Sequence, residues 1–152
     1  MKTPSIVQPD PESWLSAFHF STQVKIRYNE TDLLGHVNNV SYFMYFEQGR
    51  IEYFEHLQLT GELFGDQRVT VVARSECEYF APIYLRDLIE MRVRVSRIGR
   101  TSLDIQYAML VQGELKAAGQ ITLVLVDKST GKSTPLPEFA RERIQAFEGM
   151  AD

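Results

Sequence analysis

The sequence predicts an α+β domain in which one strongly curved antiparallel sheet wraps a single long helix. Three observations carry this. From about Val40 to Leu57, apolar side chains recur at near-helical spacing: Val40, Phe43, Met44, Ile51, Phe54 and Leu57, with Tyr42, Tyr45, Phe46 and Tyr53 on further faces. Downstream, Ile89, Met91, Val93 and Val95 alternate strictly with Glu90, Arg92 and Arg94, and Leu103, Ile105, Tyr107 and Met109 repeat the two-residue period. Finally, the order strand, helix, then about four strands leaves only the sheet to cover the helix.

Taken in order, residues 1–18 read as a loosely held N-terminal arm ahead of a single domain spanning residues 19–152. A strand is expected from about Phe20 to Tyr28, where Val24, Ile26 and Tyr28 alternate with Lys25 and Arg27. Asn38 or Asn39 is the expected N-cap of the helix, its side-chain oxygen accepting a first-turn amide. A helix apolar on so many faces is expected to be enclosed rather than buried on one side. Gly49 within it costs about 1 kcal/mol relative to alanine and marks a close backbone approach. A glycine-bearing connection (residues 60–67) leads to "VTVVARSECEYFA", which Pro82 ends at a turn or sheet edge. Gly99-Arg100 and Gln112-Gly113 are turns, "AAGQITLVLV" reads as a central strand, and residues 138–147 form a short terminal helix. The sheet's second face keeps enough apolar residues that a partner subunit is expected.

The totals narrow the function classes. The 152 residues suit one domain with a real core, and 44% apolar with 24% charged residues is a globular composition. A net charge of −4, from 16 basic and 20 acidic residues, gives no overall field for nucleic acid. The single cysteine, Cys77, permits no internal disulfide and suits a reducing compartment. The amino terminus has prolines and acids where a signal peptide needs an apolar core, and no stretch approaches the roughly 20 apolar residues of a membrane span. The expectation is a cytoplasmic protein.

The chemistry concentrates in "YNETDLLGHVNN", just ahead of the helix. Asp32 has two readings. Either it shapes an Asx-type turn, or it is a carboxylate held opposite a helix mouth whose free amides suit a developing oxyanion. In the second case it attacks a carbonyl carbon or activates a water, and Gly35 lets the backbone approach a ligand closely. Such a pair suits hydrolysis of an activated ester without serine, cysteine, metal or cofactor. His36 is either a hydrogen-bonded loop residue or an acid–base group, and Glu47 either a solvent-facing carboxylate or a buried acid with a raised pKa. Cys77, inside a strand, reads as core. No G-x-S-x-G elbow, Walker loop or G-x-G-x-x-G is present, and His19, His36 and His56 have no metal-type spacing. Arg92, Arg94, Arg97 and Arg100 cluster about a turn, as a solvated face or, at Arg97 and Arg100, a nucleotide phosphate contact.

The run Tyr28 to Asn39, followed by Ser41-Tyr42, resembles the signature of the 4-hydroxybenzoyl-CoA thioesterase-like branch of the hotdog superfamily, and "EYFAPIYLRDLIEM", "SRIGRTSLDIQY" and "VLVDKSTGKSTPLP" are similar to its later motifs. The similarity covers roughly residues 20–145. It implies a hotdog fold, a homodimer or homotetramer with active sites shared across the dimer interface, and hydrolysis of an acyl-CoA thioester. It implies Asp32 as nucleophile or general base, the amide at Asn39 as the group polarising the thioester carbonyl, and Arg100 as a contact to the CoA nucleotide; acyl specificity is then expected to depend on how Tyr42, Tyr45, Phe46 and residues of the partner subunit close the tunnel. The sequence departs from one bacterial subgroup, which has histidine where Asn39 stands, and from plant acyl-carrier-protein thioesterases, which have asparagine where Leu34 stands. Acyl-carrier protein therefore stays open as the carrier beside CoA. Two other outcomes remain: a sensor that binds acyl-CoA without cleaving it, and an enoyl-thioester hydratase or dehydratase drawing on Glu47 or His36.

Overall fold

Alternating strands bury one face against the helix, and the registers show how. In the computed structural model, which describes residues 5–150, five strands form one antiparallel sheet. They are β1 (Phe20–Lys25), β2 (Arg68–Tyr79), β3 (Leu88–Ile98), β4 (Ser102–Val111) and β5 (Glu114–Asp127), in the order β1-β3-β4-β5-β2. Met91 lies opposite Met109 and Tyr107 opposite Gly119, so the alternating residues of β3 and β4 form one continuous buried face. Register shifts at Val72/Arg74, Val95/Arg97 and Met109/Leu110 bend the strands around what they cover. β5 is interior, and β1 and β2 are the two edges. β1 stops three residues short of the expected Tyr28, because Tyr28–Glu30 closes a 3-10 turn in which the Glu30 carboxylate accepts the Arg27 amide at 2.7 Å.

The covered element is α2 (Ser41–His56), within a residue of its expected ends. Its inward face is not the expected one. Tyr42, Tyr45, Phe46, Tyr53 and Phe54 are buried, while Val40 and Met44 are exposed, so a single chain covers the helix on one side only. Gly49 fixes this face: a Cβ there would stand 3.0 Å from Met91 Cγ, and the backbone meets β3 through its missing side chain. Phe46 lies over Gly119, where a Cβ would fall 2.4 Å from the ring, and stacks on Tyr107 at 4.6 Å.

A one-turn helix α3 (Thr60–Leu63) interrupts the connection to β2. The terminal helix α4 (Glu138–Glu148) ends at Gly149 in the left-handed region (φ 70°). At its end the Glu148 carboxylate accepts Tyr53 Oη at 2.6 Å and the Val95 amide at 2.9 Å, which docks α4 at the β3 bulge.

The arm is held, contrary to expectation. It contains α1 (Pro11–Ser16), capped by Asp10, whose carboxylate accepts the Ser13 amide at 2.8 Å. Ile6, Val7 and Trp14 pack with Ala108, Leu110 and Ala118 on the sheet face turned away from α2, and Trp14 is only 3% exposed. Its indole N–H donates to Gln106 Oε1 at 2.9 Å. The apolar residues on the second sheet face are thus met in part by the chain itself. Residues 1–4 of the arm lie outside the described residues.

Candidate active site

The loop between β1 and α2 is built around two acids. Glu30 holds the start of α2 in place. Its carbonyl accepts the Asn38 amide at 2.8 Å and Ser41 Oγ at 3.2 Å, and its carboxylate accepts Tyr45 Oη at 3.0 Å. Asp32 shapes the turn that follows. Its Oδ1 accepts the amides of Leu34 (2.8 Å) and His36 (3.2 Å), its own amide donates to the His36 carbonyl at 2.8 Å, and Gly35 sits at φ +80° in the reversal. The Asx-turn reading is therefore correct for one carboxylate oxygen. The other, Oδ2, accepts nothing from the described residues, and a carboxylate needs only one free oxygen to act as nucleophile or base.

The helix mouth also differs from the expected cap. Val40 occupies the N-cap position with no side-chain cap, and the Asn38 side chain accepts the Val40 amide at 3.0 Å instead. The Ser41 amide donates to the Asn38 carbonyl at 2.9 Å. Among the described residues the Asn39 amide has no partner, while its carbonyl accepts Tyr79 Oη at 2.8 Å.

Asp32, His36, Asn39, Tyr42, Tyr79 and Phe80 line one open cleft of about 320 Å³, the size range of small-molecule sites. The rings of Tyr42 and Tyr79 meet edge to face at 4.8 Å, and that of His36 meets Tyr84 at 4.9 Å. Burial, with a smaller contribution from nearby Cys77, pushes the Tyr42 phenol up to about 12, so it stays protonated at neutral pH. Burial also pushes the Cys77 thiol up to about 11, which leaves no thiolate nucleophile beside the cleft.

Of the residues singled out from sequence, the structure gathers Asp32, His36, Asn39 and Tyr42, with Gly35 in the turn behind them. It does not gather the rest. Glu47 lies on the outer side of α2, its side chain 64% exposed, 3.5 Å from buried Arg50, and faces a separate groove with Gln23, Lys25 and Glu52. Arg97, near the end of β3, and Arg100, in the β3–β4 turn, lie beside the start of β2, whereas the cleft is at the end of β2. Arg97 is engaged, its Nε 2.6 Å from Asp104 Oδ2; the Arg100 guanidinium has no partner among the described residues. Tyr79 and Phe80 escaped the sequence reading as site residues, though "EYFA" directly before Pro82 marks where the strand leaves the sheet.

The geometry is that of a carboxylate facing a helix start, and the comparisons with known proteins agree. The model of the thioesterase-like superfamily matches residues 26–144. This chain belongs to the thioesterase-like superfamily. It is 33% identical over 145 residues to the uncharacterized protein YsmA of Bacillus subtilis, covering 95% of this chain and 97% of YsmA. It is 29% identical over 121 residues to the acyl-CoA thioester hydrolase YbgC of Escherichia coli O157:H7, covering 78% and 90%. A thioesterase of Thermus thermophilus, solved with coenzyme A and zinc, superposes with a TM-score of 0.77 at 37% identity, over 89% of this chain and 98% of that one. As a superfamily member the chain is a hotdog-fold thioester hydrolase. No helix among the described residues is long and apolar enough to cross a membrane.

Proposed function

We propose that the chain hydrolyses acyl-CoA thioesters in the Asp32 cleft. The observation that carries the reading is the division of labour in one carboxylate: Oδ1 is committed to the Leu34 and His36 amides, and Oδ2 is left to the cleft. The thioester carbonyl would lie against the unpaired Asn39 amide, at the positive end of α2, where developing negative charge is stabilised. Asp32 Oδ2 would then attack the carbonyl carbon or take a proton from the attacking water. The names of YbgC and of the coenzyme A-bound thioesterase support the carrier.

The working unit in this reading is a homodimer. β2 is twelve residues of free edge with Val71 and Val72 exposed, a template for a second strand. Exposed Leu33, Leu34, Val40 and Met44 add apolar surface on the Asp32 loop and the first turns of α2. If two β2 strands pair antiparallel about a twofold axis, the start of one lies beside the end of the other. The partner's β3–β4 turn, with its Arg100, then comes to the end of the double sheet that holds Asp32. That would return the guanidinium to the substrate, and gives a reason why one chain separates the two.

A hydratase reading loses one of its candidate acids, since Glu47 faces a different groove. The test is thiol release from short, long and aromatic acyl-CoAs by wild type and Asp32→Asn together. Release that the variant abolishes supports the reading; full activity in Asp32→Asn overturns the role of the carboxylate.

A further inference from the structure

A second cavity, of about 400 Å³, opens next to the Asp32 cleft, and the N-terminal arm makes one side of it. Val7, Pro9 and Pro11 from the arm face Leu115 at the start of β5 and Phe80. Phe80 also lines the cleft, so one residue borders both spaces. Its position is fixed. The Phe80 amide donates to the Lys116 carbonyl at 2.9 Å, and two residues earlier Glu78 accepts Ser5 Oγ at 2.9 Å. The arm is held at its other end by buried Trp14 and its bond to Gln106.

The chemistry of the lining selects the occupant. Among the described residues the cavity has two polar side chains, and both are committed elsewhere. Ser5 Oγ donates to Glu78 and accepts the Val7 amide at 3.1 Å; the Asp10 carboxylate caps α1 through the amide and hydroxyl of Ser13. Among the described residues no cation lines the space and the one charged side chain there is acidic, a poor match for the phosphates of a nucleotide. What remains for contact is valine, proline, leucine and phenylalanine surface, which suits hydrocarbon.

We propose that this cavity receives the acyl group of the thioester, and that the N-terminal arm, through Val7, Pro9 and the shared residue Phe80, sets the chain-length preference. This rests on the thioesterase reading above. The carbonyl stays at the Asp32 cleft while the chain passes Phe80 toward the arm. Each methylene that enters gains about fourfold in affinity, from the ordinary transfer energy of a buried CH2.

The test separates binding from hydrolysis by using S-alkyl-CoA thioethers, which cannot be cleaved at a carbonyl. Their affinities, from S-methyl to S-decyl, are measured by calorimetry on the full chain as wild type, Leu115→Trp and Phe80→Ala, alongside thiol release from the matching acyl-CoAs. Wild-type affinity should rise steeply with length until the cavity is full. Leu115→Trp fills the space and Phe80→Ala removes the shared ring, so both should flatten the rise by at least tenfold at S-octyl relative to S-methyl. Phe80 is half exposed, so its variant gives an answer even where Leu115→Trp fails to fold. A wild-type affinity indifferent to length, or an equal rise in Phe80→Ala and every folded variant, overturns the proposal. A rise that the variants flatten, without thiol release from any acyl-CoA, supports the acyl cavity while sinking the hydrolase reading.

Discussion

Oδ1 of Asp32 accepts the amide of His36 at 3.2 Å, so the residue that would do the chemistry also holds its own loop. Asparagine keeps an oxygen that accepts that amide and the amide of Leu34, but cannot act as nucleophile or base at neutral pH. Asp32→Asn should therefore lose at least about a hundredfold in kcat while its melting temperature stays close to wild type. Asp32→Ala should lose both. A differential scan beside the thiol assay decides it, and an Asn variant that unfolds early would make the loss structural.

Arg97 and Arg100 are neighbours with different engagements. Arg97 is held by Asp104, whose carboxyl, despite burial that raises it, is held below the usual range by Arg97 and Thr122. Arg100 has no such partner among the described residues. Arg100→Gln should raise KM for acyl-CoA a few-fold, the scale of an exposed ion pair, and leave KM for acyl-pantetheine, which lacks the nucleotide, unchanged. Arg97→Gln should cost stability instead, and more at neutral pH than in acid. Its contribution needs ionised Asp104, so it is present above the ordinary aspartate pKa of about 3.9 and lost as pH falls through the lowered one. Equal KM effects on the two substrates would remove Arg100 from the nucleotide site.

Glu148 gives the opposite sign. Burial raises its carboxyl above the ordinary glutamate value, although Tyr53 and the Val95 amide oppose the shift. The native state then prefers the protonated form, so its contribution is fully present below about pH 4.3 and lost as pH rises through the raised value. Glu148→Gln, which keeps an acceptor oxygen, should gain on wild type in denaturant unfolding as pH rises from acid to neutral. A stability difference that does not change with pH would contradict the assignment.

Gly119 has no room for a methyl group beneath Phe46. Gly119→Ala should destabilise by about 1–3 kcal/mol, the usual range for overpacking. Phe46→Leu in the same chain should return part of that loss. Additive losses in the double-mutant cycle would mean the two positions do not compete for the same space.

The β2 edge carries the proposed dimer. Val72→Lys places a charge on an exposed position that, in that dimer, faces the twofold axis. Gel filtration with light scattering should show monomer, and thiol release should fall with it. A fully active monomer would put the whole site within one chain.

Much of this was legible from the sequence, and what was not has identifiable reasons. The strands of Ile89 to Val95 and Leu103 to Met109 announce themselves because each buries one face against α2 and shows the other. The helix ends were readable and its inward face was not. Tyrosine counts poorly as core by composition, and the close approach of Gly49 to Met91 and Val93 belongs to the same helix face that buries Tyr42, Tyr45 and Tyr53. The arm looked loose because Ile6, Val7 and Trp14 are scattered among prolines and have no periodicity; their partners, Ala108 and Ala118, lie about a hundred residues away in the chain. Asp32 presented two alternatives that turned out to be compatible, because a carboxylate has two oxygens and a sequence shows only one residue.

The buried indole of the arm has a practical consequence. Trp14 is the only tryptophan in the chain, and it sits edge to face with Phe18 at 4.8 Å on the far side of the sheet from α2. Emission excited at the red edge of the absorption band therefore comes from the arm alone. Detachment of the arm would register as a red shift while far-ultraviolet circular dichroism stayed constant, so the protein carries its own optical reporter for one segment, with no label to attach.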